Sequence, residues 1–412
     1  MEVDARAFCE KGFVVLRNVV PPDQLAGLRD CFEILVEKQK RVWAQRRGPT
    51  DPPGGVWETS AQPRLQFNQL IDAQTAAAGE FCLHDHTLGV SRRLMGTPEA
   101  AVTAMFLMCN PVRDHGPATW HRDVGPGHPA PIDGLTEYIH RFGPAYIQWN
   151  IALWEDSVLW VVPGSHLRRN TEAEVRQLAA DPKVPLPGGL QVELGPGDGV
   201  AYTIPILHWG SNYSAKRRRI VHLGYRAFGG EALSYVHWRH WDGDFVPQLS
   251  ASAQQRFARF DQLWQEEHRQ FEAIFRAAIQ KDAAEFGRAL AQLHPSPQGR
   301  MVTLVMLAKV AGRLREHKMI EAQGLPTAEQ AAKLKGLWFG TEVFNEWAGR
   351  FSAADAEQLG ARFAELDRRL RLPAAQAAPG FQGPSSEYEP NAMPEGFGVE
   401  EFVASWQTGG GK

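Results

Sequence analysis

A mainly β core with α additions is the fold class that this sequence predicts: a double-stranded β-helix of the jelly-roll, cupin-like type with a C-terminal helical region. Three observations predict it. Short β-prone runs recur between Gly, Pro and Asn turns in the first half of the chain. One helical stretch interrupts those runs. After about residue 247 the apolar residues follow helical spacing instead.

The chain opens with a predicted strand and helix. Residues 12–20, GFVVLRNVV, are β-prone, and residues 21–42 have helical character with two prolines at their start, where a missing N–H costs little. Residues 47–62 are rich in Pro and Gly. So long a loop is unusual in a compact domain unless it acts as a lid.

Six further strands are predicted before residue 230. They cover residues 101–109, 145–153, 158–162, 190–194, 198–204 and 219–226. Thr171 and Glu174 form a predicted capping box for the helix that interrupts them.

The last 165 or so residues differ in the spacing of their apolar residues. Phe257, Phe260, Trp264 and Phe271 recur at near-helical spacing, and helical patterns continue to residue 371. We therefore divide the chain into a β-helix domain (1–246), a helical appendage (247–371) and a loosely ordered tail rich in Pro, Gly and Ser (372–412). The aromatic stripe, which follows an aromatic segment at 235–241, must be buried either against the jelly roll or against a second copy of the chain in a homodimer.

Composition excludes several classes of protein. The 412 residues carry 44 basic and 47 acidic side chains, a net charge of −3, which does not suggest a nucleic-acid partner. The four cysteines show no Cys-x-x-Cys pairing and are expected to be reduced thiols. The N-terminus lacks an apolar signal region, and no run approaches the ~18 apolar residues of a membrane span. We expect a cytoplasmic protein with no membrane partner.

Three residues carry the predicted chemistry. His121 and Asp123 lie two apart in TWHRDVGP, and His208 opens a strand-like segment further on. Alternate residues of an extended segment share a face, so His121 and Asp123 can both reach one metal while Arg122 points away. Two imidazoles and a carboxylate suit non-haem Fe(II), which keeps open positions opposite its three protein ligands.

Other groups offer similar residue types. His240 and Asp242 repeat the His-x-Asp spacing, but the segments after them look helical. Cys82 and the His-Asp-His at 84–86 precede an apparent helix, where capping is favoured over metal binding. His166 lies in a turn remote from the predicted ligand strands, which favours a structural role.

A row of arginines follows the distal histidine. A guanidinium fork is the natural partner of a carboxylate, so one of Arg217, Arg218 and Arg219 is a candidate ligand for the distal carboxylate of 2-oxoglutarate. Neighbouring strand residues face opposite ways, so Arg218 and Arg219 cannot both serve. For Arg217 a solvated turn is favoured.

Over residues 8–226 the chain resembles the phytanoyl-CoA dioxygenase family of Fe(II)/2-oxoglutarate-dependent oxygenases. The resemblance is carried by GFVVLRNVV, by LMGTPEAAV, by ALWEDSVLWVVPGSH and by PGDGVAYTIPILHWGSN, in that order. It implies Fe(II), 2-oxoglutarate as co-substrate and O2. Residue by residue it places His121, Asp123 and His208 on the catalytic metal ligands.

The same resemblance leaves the arginine register open. When the two are aligned on Asn212 and Ser214, Arg218 falls on the family's 2-oxoglutarate arginine, and Ser214 falls among the co-substrate residues. When the positions are counted from the distal histidine instead, Arg219 falls on that arginine. We favour Arg218, which also leaves Tyr225 on the aromatic position that ends the strand in relatives. Trp209 is an insertion, and the connection at 152–163 is short and lacks the usual Asn-Gly pair.

The implied reaction is hydroxylation of an unactivated C–H bond of a small molecule or natural-product intermediate, with formation of succinate and CO2. Relatives that halogenate carry a small residue at the position of Asp123, so halogenation is not favoured. The alternative is a non-oxidative cupin-like metal hydrolase or isomerase, or a partner-binding jelly-roll scaffold.

Overall fold

A six-stranded antiparallel sheet organises the fold. The computed structural model describes residues 1–124, 131–228, 239–336, 342–383 and 385–408. The strands within them are β1 Phe13–Leu16, β2 Arg64–Gln66, β3 Ala100–Cys109, β4 Gly116–Pro117, β5 Tyr146–Ala152, β6 Trp160–Val161, β7 Leu190–Gln191, β8 Gly199–Tyr202, β9 His208–Trp209, β10 Ser211–Asn212, β11 Arg219–Ala227, β12 Arg371–Ala377 and β13 Ser385–Tyr388.

The large sheet has the strand order β1-β8-β5-β11-β3-β2, and a smaller one has the order β7-β6-β9. The two sheets share an apolar core in which Phe13, Tyr202 and Ile220 of the large sheet pack with Val161 of β6. The other face of the large sheet is also covered, since all seven residues of β5 are buried. Burial on both faces agrees with the apolar residues at five of its seven positions, the two polar ones being Gln148 and Asn150.

The predicted strands all form, with adjusted lengths. The runs at 101–109, 145–153 and 219–226 become β3, β5 and β11, each within a residue or so of its predicted bounds. The runs at 158–162 and 190–194 contribute only two paired residues each, to β6 and β7. Both paired residues of β7 are exposed, and the alternating pattern buries Val192 and Leu194 just after the strand.

Helices surround the large sheet. They are α1 Ala5–Lys11, α2 Leu25–Gln45, α3 Val56–Thr59, α4 Ala76–Phe81, α5 Val90–Met95, α6 Ile132–Phe142, α7 Glu172–Ala180, α8 Ala251–Gln280, α9 Ala283–Leu293, α10 Pro297–Glu321, α11 Thr327–Gly336, α12 Glu342–Ala348, α13 Ala353–Leu370 and α14 Val399–Thr408. None of the described helices is both long and apolar enough to cross a membrane.

One local prediction is confirmed. The capping box of α7 is present, with Glu174 N donating to the Thr171 hydroxyl and Thr171 N donating to the Glu174 carboxylate. The loop at 47–62 contains α3 and lies on α2, since Trp57 stacks on Trp43 at 6.3 Å between ring centroids. Its role as a lid stays a prediction.

The aromatic stripe of α8 is buried within the chain. Trp264 packs edge-on against Phe228 and Trp241, and Phe257 packs against Trp241. These rings belong to the same core as Trp149 and Tyr225 of the large sheet. This burial favours packing of the stripe against the large sheet, and a homodimer through the helical region and a domain boundary near 246 stay predictions. Of the aromatic segment 235–241, residues 235–238 lie outside the described residues.

The residues after 371 differ from the expected loosely ordered tail. β12 and β13 form a hairpin, and α14 follows it. Phe402 and Trp406, one helical turn apart, both pack on Phe286 of α9. Composition concealed this, because two well-placed aromatic residues anchor a segment that is otherwise rich in Pro, Gly and Ser.

Candidate metal centre

Backbone pairing brings the two candidate histidine ligands together. His121 N donates to His208 O and His208 N donates to His121 O, both at 2.9 Å. They form an isolated antiparallel bridge, with ring centroids 4.4 Å apart. A pair of residues far apart in sequence is thus held as tightly as neighbours within a sheet.

Each imidazole is oriented through its Nδ1 atom. His121 Nδ1 lies 2.8 Å from Thr119 O, and His208 Nδ1 lies 3.0 Å from Ile206 O. A carbonyl oxygen only accepts, so Nδ1 carries a proton, and in the neutral imidazole Nε2 then has the lone pair that a metal needs. This is the usual outer-shell support of a metal-binding histidine.

Asp123 lies between the two Nε2 atoms. Its Oδ1 is 3.4 Å from His121 Nε2 and its Oδ2 is 3.4 Å from His208 Nε2. Each carboxylate oxygen also accepts an amide: Gln382 Nε2 donates to Oδ1 at 2.6 Å and Gln148 Nε2 donates to Oδ2 at 2.7 Å. The carboxylate is thus held between two imidazoles and two amides.

The site's electrostatics suit a cation. Burial alone would raise the pKa of Asp123, but His208, His121 and the Gln148 amide together lower it, so the carboxylate is ionised. Burial lowers the pKa of His208, which keeps that imidazole neutral. Burial opposes protonation of His121 too, but its contact with Asp123 raises its pKa overall.

The donor set fits one divalent ion. Ligand atoms of His121, Asp123 and His208 all lie within 4.8 Å of one another. Bonds from nitrogen or oxygen to such ions are about 2 Å long, so two donors on one ion lie at most ~4 Å apart, as the 3.4 Å separations allow. Two neutral nitrogens and one anionic oxygen on one side match the preference of ferrous iron.

Arg122 points away from this site, as predicted. Its guanidinium is fully buried and donates to Ser165 O at 2.7 Å, to Pro205 O and to Asn170 Oδ1. It fastens the segment before the distal histidine to the PGSH turn. The residue between the two ligands therefore has a structural role on the opposite face.

The inner face of the large sheet adds polar residues that sequence reasoning missed. Gln148 and Asn150 lie at alternate positions of β5, and His222 Nδ1 is 2.8 Å from Asn150 Oδ1. The Tyr202 ring lies 5.4 Å from that of His208. Polar residues two apart in a buried strand were a usable signal for Gln148 and Asn150. Gln382 had none, because it comes from the supposed tail.

The structure separates the two candidate arginines by face. Arg218 precedes β11 and has the same parity as Ile220 and His222, so it lies on the inner face. Its Nε donates to Asp156 Oδ2 at 2.8 Å. Arg219 lies on the outer face and pairs there with Glu33 of α2.

The remaining candidates lie elsewhere. The Ser214 hydroxyl donates to Asp114 Oδ1 at 2.8 Å and organises a turn, and no described contact joins it to the ligands. Arg217 is exposed and lies over the Trp154 ring. Within the described part of the chain, His121, Asp123 and His208 are close enough together to share one metal ion. Neither the pair His240 and Asp242 nor residues 82–86 belong to such a group of three or more donors.

An antiparallel sheet with a His-Asp-His donor set beside its inner face defines a non-haem metal enzyme. A family model for phytanoyl-CoA dioxygenase (PhyH) matches residues 8–220, just over half of the chain. The chain belongs to this family of Fe(II)/2-oxoglutarate-dependent enzymes, whose cofactors are Fe(II), 2-oxoglutarate and O2. No curated protein matches the sequence significantly.

Several solved structures are distantly similar. The α-ketoglutarate-dependent epimerase SnoN from nogalamycin biosynthesis is 15% identical, with 58% of this chain and 92% of that chain covered and a TM-score of 0.37. AviO1 from Streptomyces viridochromogenes is 21% identical, with 54% and 92% covered and a TM-score of 0.38. The carbocyclase SnoK, also from nogalamycin biosynthesis, is 19% identical, with 60% and 89% covered and a TM-score of 0.39. Likenesses this distant do not select a substrate.

Proposed function

We propose that this protein is an Fe(II)/2-oxoglutarate-dependent dioxygenase that hydroxylates an unactivated C–H bond of a small molecule or natural-product intermediate. One observation carries the proposal: the two Nε2 atoms and the Asp123 carboxylate converge at 3.4 Å with their outer-shell partners already in place. When bound, iron and 2-oxoglutarate supply the oxidising chemistry, in which O2 and the keto acid give succinate, CO2 and an oxidised substrate.

The protein's own part is to hold and orient. His121, Asp123 and His208 would bind the ion from one side, because their backbone bridge and Nδ1 contacts point both Nε2 atoms the same way. Asp123 keeps an ionised carboxylate, which fills the position that halogenating relatives leave to chloride. Hydroxylation, desaturation and ring formation are therefore favoured over halogenation.

Arg218 is the proposed partner of the distal carboxylate of 2-oxoglutarate. It is buried on the inner face, and its Nε is engaged by Asp156. None of the described residues accepts a hydrogen bond from its two terminal nitrogens, which form the fork suited to a carboxylate. The paired sheets with a shared core likewise support the jelly-roll interpretation of the fold.

Release of CO2 from carboxyl-labelled 2-oxoglutarate tests the proposal without a known substrate. We expect slow uncoupled turnover that requires both Fe(II) and O2. His121→Ala, Asp123→Ala and His208→Ala should each lower it at least ~100-fold without unfolding the protein, because each removes one of three ligands. His240→Ala and Asp242→Ala should retain iron.

Full turnover in any ligand variant, at saturating Fe(II) and ascorbate, would contradict the assignment. A non-oxidative hydrolase or isomerase, or a partner-binding scaffold, predicts that 2-oxoglutarate is not consumed at all. The assay therefore separates the main proposal from its alternatives.

A further inference from the structure

A short segment from the C-terminal region reaches the candidate metal centre. Residues 378–383, here called the strap, connect β12 to β13 and lie beyond the part of the chain that the family model matches. Gln382 of the strap donates from Nε2 to Asp123 Oδ1 at 2.6 Å. We propose that Gln382 is a positioning residue of the active site, which fixes the orientation of the Asp123 carboxylate; this rests on the function proposed above.

The strap is held in place by the residue between the two ligands. Arg122 N donates to Gly380 O at 2.9 Å, and Arg122 and Phe381 form a parallel bridge. Asn170, which accepts from the Arg122 guanidinium, donates from Nδ2 to Pro379 O at 3.0 Å. The strap is therefore tied to the same backbone segment that carries two of the candidate ligands, His121 and Asp123.

Gly380 allows the strap to approach this closely. Its φ of +80° is in the left-handed region, and a Cβ there would lie 2.6 Å from Asn170 Nδ2. Two residues further on, the exposed Gln382 contacts Asp123. The Gln382 amide is therefore positioned by several contacts of the strap with Arg122 and Asn170, and not by one isolated hydrogen bond.

The two amides on Asp123 have different origins. Gln148 comes from the buried β5, whereas Gln382 is an exposed residue of the strap, whose Ala378 and Gly380 are buried. Rotation of a carboxylate about its terminal bond is broad and weakly restrained, so an isolated Asp123 would not keep one oxygen aimed between the imidazoles. With both amides in place, each carboxylate oxygen accepts one hydrogen bond, and the carboxylate is held in one orientation between the imidazoles.

This arrangement makes the C-terminal region part of the active site. The family's matched residues supply the three ligands, and this chain adds an outer-shell donor more than 250 residues from Asp123. Outer-shell partners of metal ligands commonly contribute 10–100-fold to metal affinity. Loss of Gln382 should therefore weaken metal binding even before any substrate is present.

Anaerobic titration with Co(II), followed by its visible d–d absorption, tests this directly. Gln382→Met keeps the length of the side chain and removes the donor. We expect it to raise the Co(II) Kd about tenfold or more, and to change the absorption spectrum of the bound ion, while Tm stays unchanged. Gln376→Ala, on the exposed β12 of the same hairpin, is the matched control and should bind Co(II) like the wild type.

A Gln382→Met protein with wild-type Co(II) affinity and spectrum would overturn the inference while leaving the proposed function intact. If the wild type itself bound no Co(II) at His121, Asp123 and His208, or showed no iron-dependent consumption of 2-oxoglutarate, the proposed function would fail as well. An equal loss in Gln376→Ala would mean that the hairpin fold, and not the amide, controls affinity, which also overturns the assignment to Gln382.

Discussion

The side chains of residues 121–123 point alternately to opposite sides of their extended segment. His121 and Asp123 turn toward the donor cluster, and Arg122 turns into the protein, where it binds Ser165 O and Pro205 O. The same parity rule separates Arg218 from Arg219, one on each face of the large sheet. At the scale of single residues, an alternation with a period of two therefore decides which side chains can take part in chemistry.

The parity of β11 leads to a prediction about 2-oxoglutarate. Arg218→Ala should raise its apparent KM at least tenfold, since a bidentate, charge-assisted pair is lost. Arg218→Lys should recover part of the affinity, because it keeps the charge without the fork. Arg219→Ala is the matched control and should leave KM unchanged, whatever the loss of its Glu33 partner does to stability.

Steady-state kinetics with varied 2-oxoglutarate provide the measurement. A defect confined to Arg219→Ala would show that the register is wrong by one residue. Wild-type KM in both alanine variants would put 2-oxoglutarate itself in doubt.

At the scale of elements, the PGSH turn holds the first strand of the large sheet. His166 is fully buried, and its Nε2 donates to Cys9 O at 2.9 Å. Burial lowers the pKa of His166 to about 4, so the imidazole is neutral near pH 7. Gly12, which ends α1 and precedes β1, lies directly against this ring. The structural role predicted for His166 is thus supported by its contacts.

Gly12→Ala should be strongly destabilising. The residue has φ +81°, and a Cβ would lie 2.5 Å from His166 Nδ1, so both backbone strain and a steric clash arise. We expect a loss of roughly 2 kcal/mol or more in the free energy of unfolding. Gly27→Ala is the control, because Gly27 lies in α2 with nothing near its Cβ position, and it should stabilise by up to about 1 kcal/mol.

Urea unfolding followed by circular dichroism measures both changes. Equal stability of the two variants would mean that the joint between α1, β1 and the PGSH turn is not tightly packed.

At the scale of the whole molecule, the helices and the large sheet form one continuous core. Trp264 is 1% exposed and contacts Phe228 and Trp241, and Arg226 of β11 pairs with Glu267 of α8. The hairpin β12–β13 then carries the strap to the metal centre. The C-terminal region thus covers the sheet and also supplies a residue to the site.

Trp264→Ala should lower the free energy of unfolding by about 3–5 kcal/mol, since it opens a cavity between sheet and helix. Gln262→Ala, two residues away on the exposed face of α8, should change it by less than about 0.5 kcal/mol. Urea denaturation measures the free energy of unfolding, and size-exclusion chromatography measures the oligomeric state. If Trp264→Ala instead left stability intact and changed only the oligomeric state, the stripe would be an interface between copies.

The sequence by itself determined the three candidate donors, the shared direction of His121 and Asp123, and the positions of the main strands and helices. These features depend on local periodicity and on ordered motifs, which survive in the linear chain. Only the tertiary structure decided that Arg218 faces inward, that α8 buries its stripe against the sheet, and that Gln382 reaches Asp123. The physical reason is that such contacts join residues up to 259 positions apart. The spacing of residues along the sequence does not show which distant segments come into contact. Packing and hydrogen bonding in three dimensions decide those contacts.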